Sequence, residues 1–204
     1  MPPIMKIDQF DNAGNTMTVI GCSTPAEIFV KFMPDVLLAK MFFHTNDKII
    51  ILRNKCKRQN NPTFKDLTLI GFHAFLGILI MTGARKDNHL TSEEMFSKSQ
   101  GCPFYSSVMS ERRFSFIQRA LLFDSLAIRE ERVKTDKFVA ISSLWDQIIA
   151  NYEPSGHLTV EEQLLAFRGQ CAFRIYIPNK QEKYGIKLVM ACDAETYYMY
   201  NEIP

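Results

Sequence analysis

The sequence predicts an α+β fold in two parts: a helical bundle over residues 23–154, then the first antiparallel strands of an incomplete second domain over 155–204. Three observations predict it. From Ser23 to about Tyr152 the apolar residues recur at helical spacing. From His157 onward, short runs rich in Val, Ile, Phe and Tyr are split by Arg-Gly, Pro-Asn-Lys and Tyr-Gly, the pattern of consecutive strands with tight connections. Residues 1–22 hold no sustained periodicity and read as a flexible lead-in.

Ser23-Thr24-Pro25 is a helix start, with a cap, a proline in the first turn and Glu27 near the positive end of the dipole. Ile28, Phe29 and Phe32 share a face, and Pro34 ends the pattern. A second helix follows with Val36, Leu37, Leu38, Met41 and Phe42 on its buried side. Arg53 to Lys65 holds five cations and no acid, which fits a solvated loop or a phosphate-contacting one. Leu67 to Thr82 is a strongly apolar helix in which His73 is expected to be a packed side chain.

Beyond the polar connection Arg85-Lys86-Asp87-Asn88, Thr91 and Glu94 have capping-box spacing, and Gly101-Cys102-Pro103 stops that helix. Ser110 starts the next, with Phe114, Ile117, Leu121 and Leu122 as its stripe. Arg112, Arg113 and Arg119 fall largely off the stripe, a pattern shared by DNA-facing helices and ordinary solvated ones. Ile128 to Lys137, with four cations and three acids, reads as an exposed linker. Asp136 is expected to open a helix carrying Val139, Leu144, Trp145, Ile148 and Ile149, and Pro154-Ser155-Gly156 ends it. The last strand, from Tyr197, is expected to lack a partner and leave an open sheet edge.

Composition excludes more than it selects. The 204 residues are 47% hydrophobic and 23% charged with a net charge of +2, ordinary for a globular protein and no pointer to a partner. The longest apolar stretch is interrupted by Gly71, His73 and Gly77, and falls short of the ~20 residues of a membrane span. The start lacks a signal-peptide run. Five scattered cysteines without CxxC or zinc spacing suit reduced thiols in a cytosolic or nuclear protein.

The chemical signal is local. Between Phe167 and Lys187 five cations, Arg168, Arg174, Lys180, Lys183 and Lys187, stand against one acid, Glu182. A small sheet faced with these cations suits a polyanion. At the head of its first strand sit Glu161 and Glu162. Neighbours on a strand point to opposite faces, so only one of them lines any given site. Two-metal phosphoryl chemistry needs several converging carboxylates. The nearest further acids are Asp193 and Glu195. By their chemistry alone the pair reads first as ordinary strand-start charges.

The segment HLTVEEQLLAFRGQCAFRIYIPNKQEKYGIKLVMACDAET closely resembles the opening of the catalytic domain of piggyBac transposases and the host proteins derived from them. FLGILIMTGARKDNHLTSEEMF, VMSERRFSFIQRALLFD and WDQIIANYEPSGHLT resemble the helical DNA-binding and dimerisation region before it. The likeness covers roughly residues 24–204. It implies a DDE-type transposase with an RNase H-like domain, in which three aspartates bind two Mg2+ ions. Water and then a DNA 3′-hydroxyl attack phosphodiesters at transposon ends, with cutting and pasting at TTAA sites.

Glu161 stands where the family's first catalytic, metal-binding aspartate lies, within Glu161-Glu162-Gln163-Leu164. Its side chain is one methylene longer, and misplacement of ~1 Å costs ~10²-fold in rate. In the family the other two aspartates and a cysteine-rich zinc domain lie beyond the strand at which this sequence stops. Asp193 matches a turn position that is not one of the three.

The resemblance therefore implies a nuclear, transposase-derived protein or truncated fragment. It binds DNA through Arg168, Arg174, Lys180, Lys183, Lys187, Arg112 and Arg113, does not bind Mg2+ stably and is inactive alone. The alternatives are the front half of an active transposase, or a protein-interaction module forming homodimers or heterodimers with related transposases.

Overall fold

A computed structural model describes residues 4–6, 14–15, 23–56, 61–150, 152–167, 169, 171 and 173–203. Its contacts divide the chain into two compact units, residues 36–127 and residues 1–35 with 128–204. Two short strands come first, β1 (Ile4–Lys6) and β2 (Gly14–Asn15), so part of the stretch read as a flexible lead-in pairs into sheets. The first helix, α1 (Pro25–Phe32), opens on a complete capping box between Thr24 and Glu27. The backbone N–H groups of Ser23 and Thr24 hold the Glu27 carboxyl below the usual carboxylate range.

Helix α2 (Asp35–Asn54) carries the first half of the helical core. Leu37, Leu38, Met41, Thr45 and Ile49 are its buried residues. Val36 lies on the opposite side and is 69% exposed, against expectation, because the i, i+4 stripe from Leu37 places it about half a turn away. A 3-10 turn over Pro62–Phe64 precedes α3 (Leu69–Arg85), which is capped by Thr68. Phe72, Phe75 and Ile78 of α3 are fully buried, whereas His73 is exposed rather than packed. Lys86, at φ 59°, ends the helix in a left-handed cap.

Short α4 (Ser92–Met95) starts with the Thr91–Glu94 capping box. It has ended before Gly101; Cys102-Pro103 instead opens α5 (Pro103–Val108). Helix α6 (Glu111–Ala120), capped by Ser110, buries Phe114, Phe116, Ile117 and Ala120. Aromatic rings run through this unit in a chain, Phe75 to Phe114 at 5.4 Å, Phe114 to Phe96 at 5.3 Å and Phe96 to Tyr105 at 5.8 Å. Polar groups inside it are matched. The Thr45 hydroxyl accepts from Leu122 N and faces Leu122 O, and the Asn46 amide bonds both backbone groups of Leu67.

The expected linker is partly helical, α7 (Leu126–Arg132). Asp136 caps a turn by accepting from Phe138 N at 2.7 Å, and the helix expected from it begins only at α8 (Ser142–Ile149). Then come β3 (Tyr152–Glu153), β4 (His157–Ala166), β5 (Arg174–Tyr176), β6 (Tyr184–Asp193) and β7 (Met199–Ile203). β2 pairs with β3, and β1, β4, β6 and β5 follow one another in a second, antiparallel sheet.

β4 and β6 form its spine, nine pairs from Leu158↔Asp193 to Ala166↔Gly185. On its other edge β6 meets β5 at residues 184–186 and β7 at 189–192. The last strand is thus paired, correcting the expectation that it lacks a partner. Gly185 is where β4 runs closest, since a Cβ there would collide with the Leu165 carbonyl.

Candidate nucleic-acid interface

Register decides what the sheet displays. Opposed residues in the β4–β6 and β5–β6 ladders share a face, and successive residues alternate. Glu161 pairs with Met190, and Leu165 and Arg174 both pair with Ile186, so Thr159, Glu161, Gln163, Arg174, Tyr176 and Tyr184 lie on one face. Glu162 pairs with Val189 and lies on the other, with Lys187 and Asp193. The acidic pair sits mid-strand, not at its head, and is divided between faces.

The cations are divided too. On the Glu162 face, Lys187 Nζ lies 2.7 Å from Glu162 Oε1 in a surface ion pair. On the Glu161 face, the Arg174 guanidinium lies over the Tyr184 ring, 5.7 Å from its centroid, and donates to Gly169 O at 3.1 Å. Lys180 and Lys183 are exposed in the connection between β5 and β6. That connection is closed by Ile177 N donating to Lys183 O at 2.9 Å. Arg168 lies outside the described residues. The basic ribbon is therefore not one cationic face. Arg174, Lys183, Gln181, Glu182 and Tyr184 line an open groove at its turn end.

In the helical unit Arg112 is exposed on α6, but Arg113 is committed to the backbone. Its Nη1 donates to the carbonyls of Thr63 at 2.8 Å and Lys65 at 2.7 Å, and its Nη2 to that of Asp66 at 3.2 Å. The guanidinium fork clamps the segment ahead of α3 onto α6. The Arg53–Asp66 ion pair, at 2.8 Å, closes the same segment.

The acids do not converge. Among the described residues no three His, Cys, Asp or Glu side chains come close enough to hold a metal ion. Asp193, the nearest sequence candidate to join Glu161, is fully buried and on the opposite face. Its carboxylate accepts from Ser155 N at 2.6 Å, Ser155 Oγ at 3.0 Å, Glu195 N at 2.8 Å and Thr196 N at 3.1 Å. It is the polar anchor of the β6–β7 turn, and the main chain of Glu195 is spent on it. Cys192 lies on the Glu161 face, two residues along β6 from Met190. Burial raises its thiol pKa, and the Glu161 charge adds to the shift. An exposed carboxylate beside a thiol does not fit a two-ion Mg2+ centre, which needs several converging hard oxygen ligands.

Sequence reasoning missed the aromatic part of the site. Tyr176 and Tyr184 pair directly across β5 and β6, with ring centroids 4.8 Å apart. The signal was present in the period-two spacing of Arg174 and Tyr176. Only the strand register shows that Tyr184 completes the group.

The arrangement has known counterparts. A family model described as Transposase IS4 matches residues 24–204. The chain is also similar to a solved piggyBac transposase in a synaptic complex with hairpin DNA, at 40% identity and a TM-score of 0.82. That match covers 95% of this chain and 41% of the other, so the chain spans under half the length of the transposase it resembles. The architecture, eight helices and an antiparallel sheet among the described residues, matches a fragment of such an enzyme. On the strength of both matches, the chain belongs to the piggyBac-type transposase family.

Proposed function

We propose that this chain is a transposase-derived DNA-binding protein that acts in the nucleus and does not cut DNA by itself. The observation that carries the reading is the shared fold, at 40% identity, with a transposase solved on hairpin DNA. The geometry supports it at the turn end of the sheet. There Arg174, Lys180 and Lys183 offer cations to phosphates, while Lys187 is already paired with Glu162. Arg112 is the corresponding cation of the helical unit. Arg113 serves the fold first, its donors being held by three carbonyls.

The transposase reaction requires divalent ions to activate water and hold the leaving oxygen. Glu161 supplies one exposed carboxylate, short of the several ligands that such ions need. Titration of a transposon-end duplex at several salt concentrations tests the binding. Log K is expected to fall by ~0.9 per phosphate neutralised for each log unit of salt. Lys180→Ala with Lys183→Ala should flatten that slope. A salt-independent constant, or no binding at low salt, overturns the reading. Nicking of the same duplex with Mg2+ is expected to stay undetectable, and cleavage would overturn the inactivity.

A second reading, a dimerisation module, has an observation of its own. Ile70 and Ile80 on α3 are 83% and 53% exposed. With His73 and Gly77 they form a stripe at heptad spacing, and a Cβ at Gly77 would meet open space. Light scattering after size exclusion tests it. A dimer that Ile70→Glu dissolves supports it, and a monomer at high concentration rejects it.

A further inference from the structure

The groove at the turn end of the sheet has a feature that phosphate binding does not require. Phosphates are met by cations, hydroxyls and N–H groups and make no use of an aromatic ring face, yet here two tyrosines stand beside the cations with about half of each residue exposed: Tyr176 at 52% and Tyr184 at 53%. Both project from the Glu161 face, in direct register on adjacent strands. Their rings are tilted by 42°, and the Arg174 guanidinium lies against Tyr184, with its Nη1 bonded to Gly169 O. Ring and guanidinium are held in place by the ladder and by that carbonyl. Lys183, Gln181 and Glu182 complete the rim.

We infer that Tyr176, Tyr184 and Arg174 form a stacking platform for an unpaired nucleobase of a DNA strand whose phosphates are held by Lys180 and Lys183. Every base has a π-face, and aromatic and guanidinium planes beside a basic groove are how strands are held without sequence readout. A base within a duplex cannot use such a platform, because its faces are covered by the pairs stacked above and below it. The single acid on the rim, Glu182, lies among polar groups able to bond a base edge. The platform shares a face with Glu161, six residues along β6 from Tyr184 to Met190, or roughly 20 Å. A strand laid along that face would pass from the stacked base toward the carboxylate.

This inference rests on the DNA-binding reading, and its test separates the two. The whole chain is titrated with fluorescein-labelled dT12, with a blunt duplex, and with a hairpin bearing an unpaired four-base turn. Tyr184→Leu, which keeps an apolar side chain but no π-face, should weaken dT12 and hairpin binding by about tenfold. Blunt-duplex binding and the salt slope should stay within twofold. Tyr184→Phe should restore the wild-type preference, separating stacking from loss of fold. Lys180→Ala with Lys183→Ala should weaken all three probes together.

If Tyr184→Leu weakens every probe equally, or none, the platform is wrong while DNA binding stands. If the wild type binds the duplex but neither dT12 nor the hairpin better, the platform is likewise overturned. If the wild type binds no probe, both readings fall.

Discussion

The helical unit and the sheet solve the same problem with different materials. In residues 36–127 the core is rich in aromatic rings. Phe72, Phe75, Ile78, Tyr105 and Ile117 have no exposed surface, and three helices contribute to one cluster. In the sheet, among the described residues of β4 and β6, the buried apolar side chains are Leu158 and Leu188 alone, with the Ser155–Asp193 pair buried beside them. Val160, Leu165 and Val189 remain 38–48% exposed. Its order comes from backbone ladders and one buried carboxylate. A packed core favours a single rigid arrangement. An open ladder leaves side chains displayed, and it is there that the cations, the tyrosines and Glu161 lie.

The sharpest way to break that comparison is to truncate one apolar side chain to alanine in each half. Phe75→Ala should cost about 3–5 kcal/mol of unfolding free energy, because a fully buried ring leaves a cavity. Leu165→Ala, half exposed on β4, should cost under about 1 kcal/mol. Urea unfolding compares them, and equal losses would show that the sheet has an apolar core after all. Next in size is Asp193→Ala, which leaves four donors without their acceptor and should cost about 2–3 kcal/mol. Hydrogen exchange should then rise at Glu195 and Thr196 but not at the helical unit's amides. Uniform exchange would deny the turn its local anchor.

Arg113→Lys should cost about 1–2 kcal/mol, since a lysine cannot reproduce the fork that spans three carbonyls. DNA affinity should change little once the variant is folded. A loss of affinity at unchanged stability would return Arg113 to the interface.

The smallest effect is silent at neutral pH. Burial, aided by the bond to Asp87, pushes the Tyr105 pKa up to about 12. An unfolded tyrosine ionises near pH 10. Stability linked to Tyr105 is complete below that pH and is lost as pH rises toward 12, because the unfolded chain releases the proton first. Tyr105→Phe should remove this alkaline slope in denaturation midpoints taken from pH 9 to pH 12.

The parts of this fold that sequence reasoning reaches are those written within a few residues. The Thr24–Glu27 and Thr91–Glu94 boxes close within three residues, and strand boundaries follow from Pro, Gly and Asn between β-branched runs. The sequence misleads where the exact turn of the backbone, or a distant partner, decides. Val36 looks like a core residue until the i, i+4 stripe of α2 meets its neighbours. Asp136 has the composition of a helix cap but is used in a turn. Asp193 looks like a second metal ligand until the Ser155 backbone, thirty-eight residues earlier, is found bonded to it.

By itself the sequence determined the family, the passage from capped helices to strands near residue 157, and the presence of an acid at position 161, because each is carried by short-range pattern or by an irregular run of matched residues. Only the tertiary structure decided which side chains act together. Pairing of β4, β5 and β6 sent Lys187 to Glu162 on one face and Arg174 to the tyrosines on the other. The reason is the two-residue period of a strand: a one-residue change of register would exchange the faces, and register is set by ladder partners far apart in the chain.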